Sequence, residues 1–168
     1  MVNKRKSSQS ERKLFVIAHN IRSLHNVGSI FRTADSFGVS KIYLTGYTGA
    51  PTGKNADKIG KVALGAEEFV PWEQSKSLVV LVKKLRKEFA NIRIAVLENN
   101  VNYKTTLLND YKPKFPLALI LGEETKGNTK NILDLADDIL EIPMAGKKES
   151  LNVSVATGVA LYGITSKN

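Results

Sequence analysis

Strands alternating with helices predict an α/β protein with a mostly parallel sheet flanked by helices. Two observations lead there. Short continuous apolar runs at Leu14–Ala18 (LFVIA) and Leu117–Leu121 (LALIL) have the pattern of strands buried on both faces, and Ile92–Leu97 (IRIAVL) reads as a further strand. The segments between them carry apolar residues at helical spacing. The chain has 168 residues, 42% of them hydrophobic, which suits one domain with a proper core. No linker, internal repeat or low-complexity block argues for a second. The expected division is a flexible basic arm over residues 1–13 and a single domain over 14–168.

Taken in order, residues 1–13 (MVNKRKSSQSERK) are apolar only at Met1 and Val2 and read as either a solvated tail or an extra phosphate contact. Leu14–Ala18 is the first strand. His25–Phe37 is a helix with Val27, Ile30, Phe31, Ala34 and Phe37 on its apolar side and Gly38 at its stop. Lys41–Leu44 is the second strand, and Thr45–Lys54 is a Gly/Thr/Pro loop. Ala56–Leu64 reads as a short helix and Ala66–Trp72 as a short strand. Ser77–Phe89 is amphipathic, with Leu78, Leu81, Val82, Leu85 and Phe89 inward. After the strands at Ile92–Leu97 and Leu117–Leu121 come a short helix at Asn131–Ala136 and a last strand at Ile139–Ile142. The final helix, after Ser150, has Leu151, Val155, Val159 and Tyr162 at helical spacing. Between them stand small or polar residues: Asn152, Ser154, Ala156, Thr157, Gly158 and Ala160.

Composition excludes several classes of function. No apolar run approaches the roughly 20 residues of a bilayer-spanning helix, and no signal-peptide core follows the basic N-terminus, so a cytoplasmic protein is expected. Cysteine is absent, which removes disulfides, thiolate nucleophiles and thiolate metal sites. The two histidines, His19 and His25, are not spaced as ligands on one helical face, so no metal is expected. Lys and Arg number 25 against 16 Asp and Glu, a net charge of +9, which favours a polyanionic partner over a merely solubilising charge.

Three segments could carry chemistry. Asn20–Gly38 is a polar loop running into a helix directly after the first strand, where ligands of open α/β sheets sit. Arg32 lies there among apolar neighbours, as either a structural fork paired with a carboxylate such as Asp35 or a phosphate-reading group. Leu117–Asn128 is a near miss to a phosphate-binding loop. Gly122 and Gly127 have the G-x4-G spacing and Thr129 sits where the hydroxyl would, but Asn128 replaces the lysine. Glu123 and Glu124 would repel phosphates, so the turn suits a cationic or donor-rich ligand, or else simply starts a helix. Glu141–Ile164 holds a second glycine-containing loop, with Gly146, Lys147, Lys148, Ser150 and Asn152. Two such loops after adjacent apolar strands would form one pocket for a small ligand.

The order NxxxxxNVGSIxRTADxFG, LILGxExxG, IPMxGxxxSLNVSVA resembles the three motifs of the SpoU/TrmH branch of the SPOUT RNA methyltransferases, and KVALGAEEFVPWE (Lys61–Glu73) is similar to many bacterial members. The likeness runs from Leu14 to the end. It implies a C-terminal deep trefoil knot binding S-adenosyl-L-methionine, and methyl transfer to a ribose 2′-hydroxyl of tRNA or rRNA. It also implies a homodimer with the active site near the subunit interface. Carried over by motif position, Arg32 is the catalytic arginine and Asn26 its helper, with Glu124, Ser150 and Asn152 shaping the active site. Leu121, Gly122, Glu124, Gly127, Ile142, Met144, Ser150, Leu151 and Ala156 are the expected methyl-donor residues, acting largely through backbone groups. Lys4, Arg5, Lys6 and Arg12 of the arm, with Arg22, Lys147 and Lys148, are the expected RNA contacts or else solvated charges. Larger members carry extra RNA-recognising segments, so the chain reads as a minimal catalytic domain. The alternative function is a catalytically inactive RNA- or nucleotide-binding module on the same fold.

Overall fold

The computed structural model describes residues 12–99, 101–123 and 127–167. Its elements are β1 (Leu14–His19), α1 (Leu24–Ser36), β2 (Lys41–Thr45), α2 (Ala56–Ala63), α3 (Ala66–Phe69), β3 (Trp72–Ser75) and α4 (Leu78–Glu88). They are followed by β4 (Arg93–Leu97), β5 (Thr106–Leu107), β6 (Leu117–Leu121), α5 (Lys130–Leu133), β7 (Asp138–Glu141) and α6 (Val153–Thr165). The strands form one sheet in the order β3-β2-β1-β6-β4-β7-β5, with every pair parallel.

Because all strands run the same way, every strand end opens onto one edge of the sheet, and that edge collects the loops. The centre of the sheet is buried on both faces, as the continuous apolar runs require. Along β1, Leu14, Val16 and Ala18 pack with α1 and α6 residues on one face. Phe15 and Ile17 pack with Leu81, Leu85 and Ile132 of α4 and α5 on the other. Ser23 caps α1 by accepting from the Asn26 amide, and Ser77 caps α4 by accepting from the Val80 amide.

Three local expectations change. Ala66–Trp72 is not a strand: Ala66–Phe69 is a single helical turn entered through Gly65 at φ 89°, and the strand begins only at Trp72. Within that turn Ala66 and Val70 face the core while Phe69 is 76% exposed, a spacing of four rather than two. The two-residue β5 is too short to show a pattern in sequence. The largest change concerns α6. Its inward face is Thr157, Ala160, Leu161 and Ile164, whereas Val155, Val159 and Tyr162 are 52%, 39% and 65% exposed. The periodic apolar stripe of the last helix points outward. Close packing on this helix falls at Ala160, which is fully buried, and at Gly163, where a Cβ would lie 2.9 Å from Leu108, whereas a Cβ on Gly158 would make only an ordinary contact with Thr33. Among the described residues no helix is long and apolar enough to cross a membrane.

Candidate active site

The edge where the strands end holds a cavity of about 350 Å³. Three adjacent strands, β6, β4 and β7, supply its floor through Leu121, Leu97 and Ile142, and the loop leading into α6 closes it with Ser150, Leu151, Val153 and Ala156. The two glycine-containing loops therefore do meet in one pocket. Gly122 and Gly127 line it as well, so of the expected donor residues Leu121, Gly122, Gly127, Ile142, Ser150, Leu151 and Ala156 converge. Met144 does not line it; its side chain is partly buried against the hydrophobic core, where a flexible thioether fills space. Glu124 lies outside the described residues.

Leu97, Glu98 and Asn99 at the end of β4, with Glu149 and Val153, line the cavity without having been singled out in the sequence. The missed signal was available. Residues just past the carboxyl end of a buried parallel strand face the ligand crevice, and that rule applies to β4 as it does to β1 and β6. Asn99 ties this end to the next loop. Its side-chain amide donates to the Ile142 carbonyl (2.8 Å) and the Glu149 carbonyl (3.3 Å), and its Oδ1 accepts from the Ile142 amide at 3.1 Å. The Ile142 amide is thus already engaged. With Glu98, Glu123 and Glu149 around an apolar floor, the cavity suits a ligand that combines an apolar surface with positive charge.

Of the catalytic candidates among the described residues, Ser150 lines this cavity, whereas Arg32, Asn26 and Asn152 do not. Arg32 is exposed on α1, and among the described residues its guanidinium makes no ion pair, which removes the reading as a buried fork held by Asp35. It borders a second, open groove of about 530 Å³ between α1 and α6, with Phe37, Gly158, Val159 and Tyr162. The Phe37 and Tyr162 rings meet edge to face at 6.5 Å there. Asn26 is 8% exposed in the first turn of α1. Asn152 spends its side chain on the cap of α6, its Oδ1 accepting from the Ser154 amide at 2.9 Å and hydroxyl at 2.7 Å. Helix α6 stands between cavity and groove, giving Ala156 to one and Val159 to the other.

On the same edge of the sheet, at the end of β1, His19 Nδ1 pairs with the Thr45 hydroxyl at 2.9 Å. Burial holds its pKa below the ordinary value, while the nearby Glu123 carboxylate pulls the other way. Of the basic candidates, Arg22, Lys147 and Lys148 are exposed in loops on this edge. Arg12 precedes β1 at the opposite edge, its guanidinium 5.5 Å from the centre of the Phe115 ring. Lys4, Arg5 and Lys6 lie outside the described residues. Among the described residues, no group of three or more His, Cys, Asp and Glu side chains could hold a metal ion.

Residues 13–162 match the SpoU rRNA Methylase family. The chain belongs to that family. It is 33% identical over 156 residues to the 23S rRNA (guanosine-2'-O-)-methyltransferase RlmB of Vibrio parahaemolyticus, an alignment covering 92% of this chain and 60% of that protein. It is also 33% identical over 153 residues to the tRNA (guanosine(18)-2'-O)-methyltransferase of Aquifex aeolicus, covering 90% of this chain and 68% of that one. The chain thus spans about three fifths of the length of the curated rRNA methyltransferases it matches. Among solved structures, the A. aeolicus TrmH/SpoU tRNA modifying enzyme superposes with a TM-score of 0.79 at 28% identity, covering 94% of this chain and 77% of that one. The SpoU methyltransferase AviRb from Streptomyces viridochromogenes, in complex with AdoMet, gives 0.78 at 25% identity, covering 91% of this chain and 57% of that one. The parallel sheet with flanking helices is the SPOUT fold of these SpoU proteins, the trefoil-knotted fold that the motifs implied.

Proposed function

We propose that this SpoU chain is an S-adenosyl-L-methionine-dependent methyltransferase acting on a ribose 2′-hydroxyl of tRNA or rRNA. The observation that carries the proposal is the cavity in which the glycine loop after β6 and the loop before α6 converge, in a chain of this family. The residues present fit the donor. Leu97, Leu121, Ile142 and Leu151 offer apolar surface for its adenosine, and Glu123 and Glu149 offer negative charge to its sulfonium and ammonium groups. When bound, the donor supplies an electrophilic methyl group on that sulfonium.

What remains for the protein is to present a ribose hydroxyl in line and to ease loss of its proton. Arginine stays protonated at neutral pH, which makes it a poor base and a good clamp. The exposed guanidinium of Arg32 holds the phosphate beside the reacting ribose and stabilises negative charge as the hydroxyl oxygen gives up its proton. Asn26 supports the start of the same helix, and Ser150 shapes the cavity wall. Since Arg32 lies across α6 from the donor cavity, we take the working unit to be a homodimer formed through the α1–α6 face, with the active site near the subunit interface. Arg22, Lys147 and Lys148 face the RNA, and the setting is the cytoplasm, where tRNA and rRNA are found.

The test is methylation of RNA lacking 2′-O-methyl marks, using purified protein and labelled S-adenosyl-L-methionine. Label recovered in 2′-O-methyl nucleotides is expected, with Arg32→Ala abolishing it and Arg32→Lys losing most turnover, because a point charge lacks the bidentate fork. Donor binding without transfer to any RNA would turn the assignment to a binding module.

A further inference from the structure

We propose that Glu98, at the end of β4, is a positioning residue whose carboxylate holds Asn128, and with it Gly122 and Gly127, in the arrangement that forms the donor pocket. The proposal rests on the methyltransferase reading above. Glu98 Oε2 accepts two hydrogen bonds from one residue across the pocket floor: the Asn128 backbone amide at 2.6 Å and the Asn128 side-chain Nδ2 at 2.9 Å. Its Oε1 accepts from the Asn99 amide at 3.2 Å. Hydrogen bonds to an ionised carboxylate are among the stronger ones a protein makes. Asn99, the next residue, holds the loop after β7 through both ends of its side-chain amide. Two consecutive side chains on one strand end therefore fix both walls of the cavity.

The glycines of the G-x4-G pattern fit this lock and not a phosphate. A Cβ on Gly122 would lie 2.3 Å from Asn128 Nδ2, so the Asn128 amide stacks directly behind the pocket wall. A Cβ on Gly127, which has φ +66°, would lie 2.8 Å from Glu98 Oε2. Each glycine leaves room for one partner of the pair. This accounts for a loop with phosphate-loop spacing that has asparagine in place of the lysine.

The pairing is also held against a penalty. Asn128 is 8% exposed, and its Oδ1 is buried with no hydrogen-bond partner among the described residues. An orphaned buried acceptor is destabilising, and an apolar side chain of similar size would leave none. A contact that weakens the fold locally while shaping a cavity wall is the pattern of a functional site.

The experiment measures donor affinity by calorimetry, methyl-transfer kcat and KM, and melting temperature for wild type, Glu98→Ala, Glu98→Gln and Asn128→Leu. Glu98→Ala is expected to raise the donor Kd by about tenfold or more, while kcat at saturating donor changes far less. Glu98→Gln should recover much of the affinity, because its carbonyl can still accept from the Asn128 amide. Asn128→Leu should weaken donor binding without lowering the melting temperature, since it removes the orphaned oxygen together with one arm of the lock. Equal donor affinity in wild type and Glu98→Ala would overturn the proposal and leave the methyltransferase reading intact. So would variants that lower only the melting temperature. A wild-type protein that binds no donor would overturn both.

Discussion

His19 closes β1 with its ring half buried against the fully buried Thr45, and its neutral form is the one the fold accommodates. Desolvation lowers its pKa from the ordinary 6.5, and Glu123 only partly opposes this. The unfolded chain therefore binds more protons than the native one between the lowered value and 6.5, and stability rises with pH across that interval. The contribution is complete above 6.5 and is lost as pH falls through the folded value. Urea unfolding at about pH 8 and about pH 5 should show wild type losing stability on acidification and His19→Gln losing less of it. An equal loss in both would assign the acid sensitivity to other groups. Arg32 poses the opposite problem at the same scale. Its spacing on an apolar helix left a buried fork and a phosphate reader equally open, and its exposure, which no sequence pattern prints, removes the buried fork.

At the scale of elements, legibility followed burial. β1 and β6 were plain in the sequence because strands covered on both faces must be apolar at every position, whereas α3 was misread because one helical turn shows too little of its period. The cavity at the strand ends was half legible. Its glycine loops carry motif residues, but Glu98 and Asn99 belong to a polar stretch that resembles any surface loop until β4 is seen to lie between β6 and β7. Helix α6 shows the limit of periodicity: its stripe of Val155, Val159 and Tyr162 is real, but period alone cannot say whether a stripe meets its own core or another surface. We take it to meet a second copy, which gives a prediction. Val159→Asp would place a charge in a buried interface at a cost of about 3–5 kcal/mol, enough to weaken association by about a hundredfold or more. Sedimentation should show wild type as a dimer and the variant as a monomer with unchanged circular dichroism and little methyl transfer. A wild-type monomer with full activity would remove α6 from the site.

At the scale of the whole molecule, the parallel sheet gives the protein two unlike edges. The edge where the strands end holds the cavity, with Arg22, Lys147 and Lys148 exposed in its loops. The opposite edge, about 20 Å away along a strand of six residues, holds Arg12 over Phe115 and Lys13 over Phe89. Basic residues stand at both edges, so the net charge of +9 alone could not say which lysines and arginines meet RNA. Salt dependence can. Each phosphate contact to single-stranded RNA contributes about 0.7 to the slope of log affinity against log salt concentration. Replacing Lys147 and Lys148 with alanine should therefore lower that slope by about 1.4, whereas Arg12→Ala should leave it unchanged. Arg12 gains its place from packing on an aromatic ring at the far edge, and RNA docked at the cavity would have to wrap the sheet to reach it. If Arg12→Ala lowers the slope as much as a loop lysine does, RNA follows that path and the basic arm belongs to the binding surface.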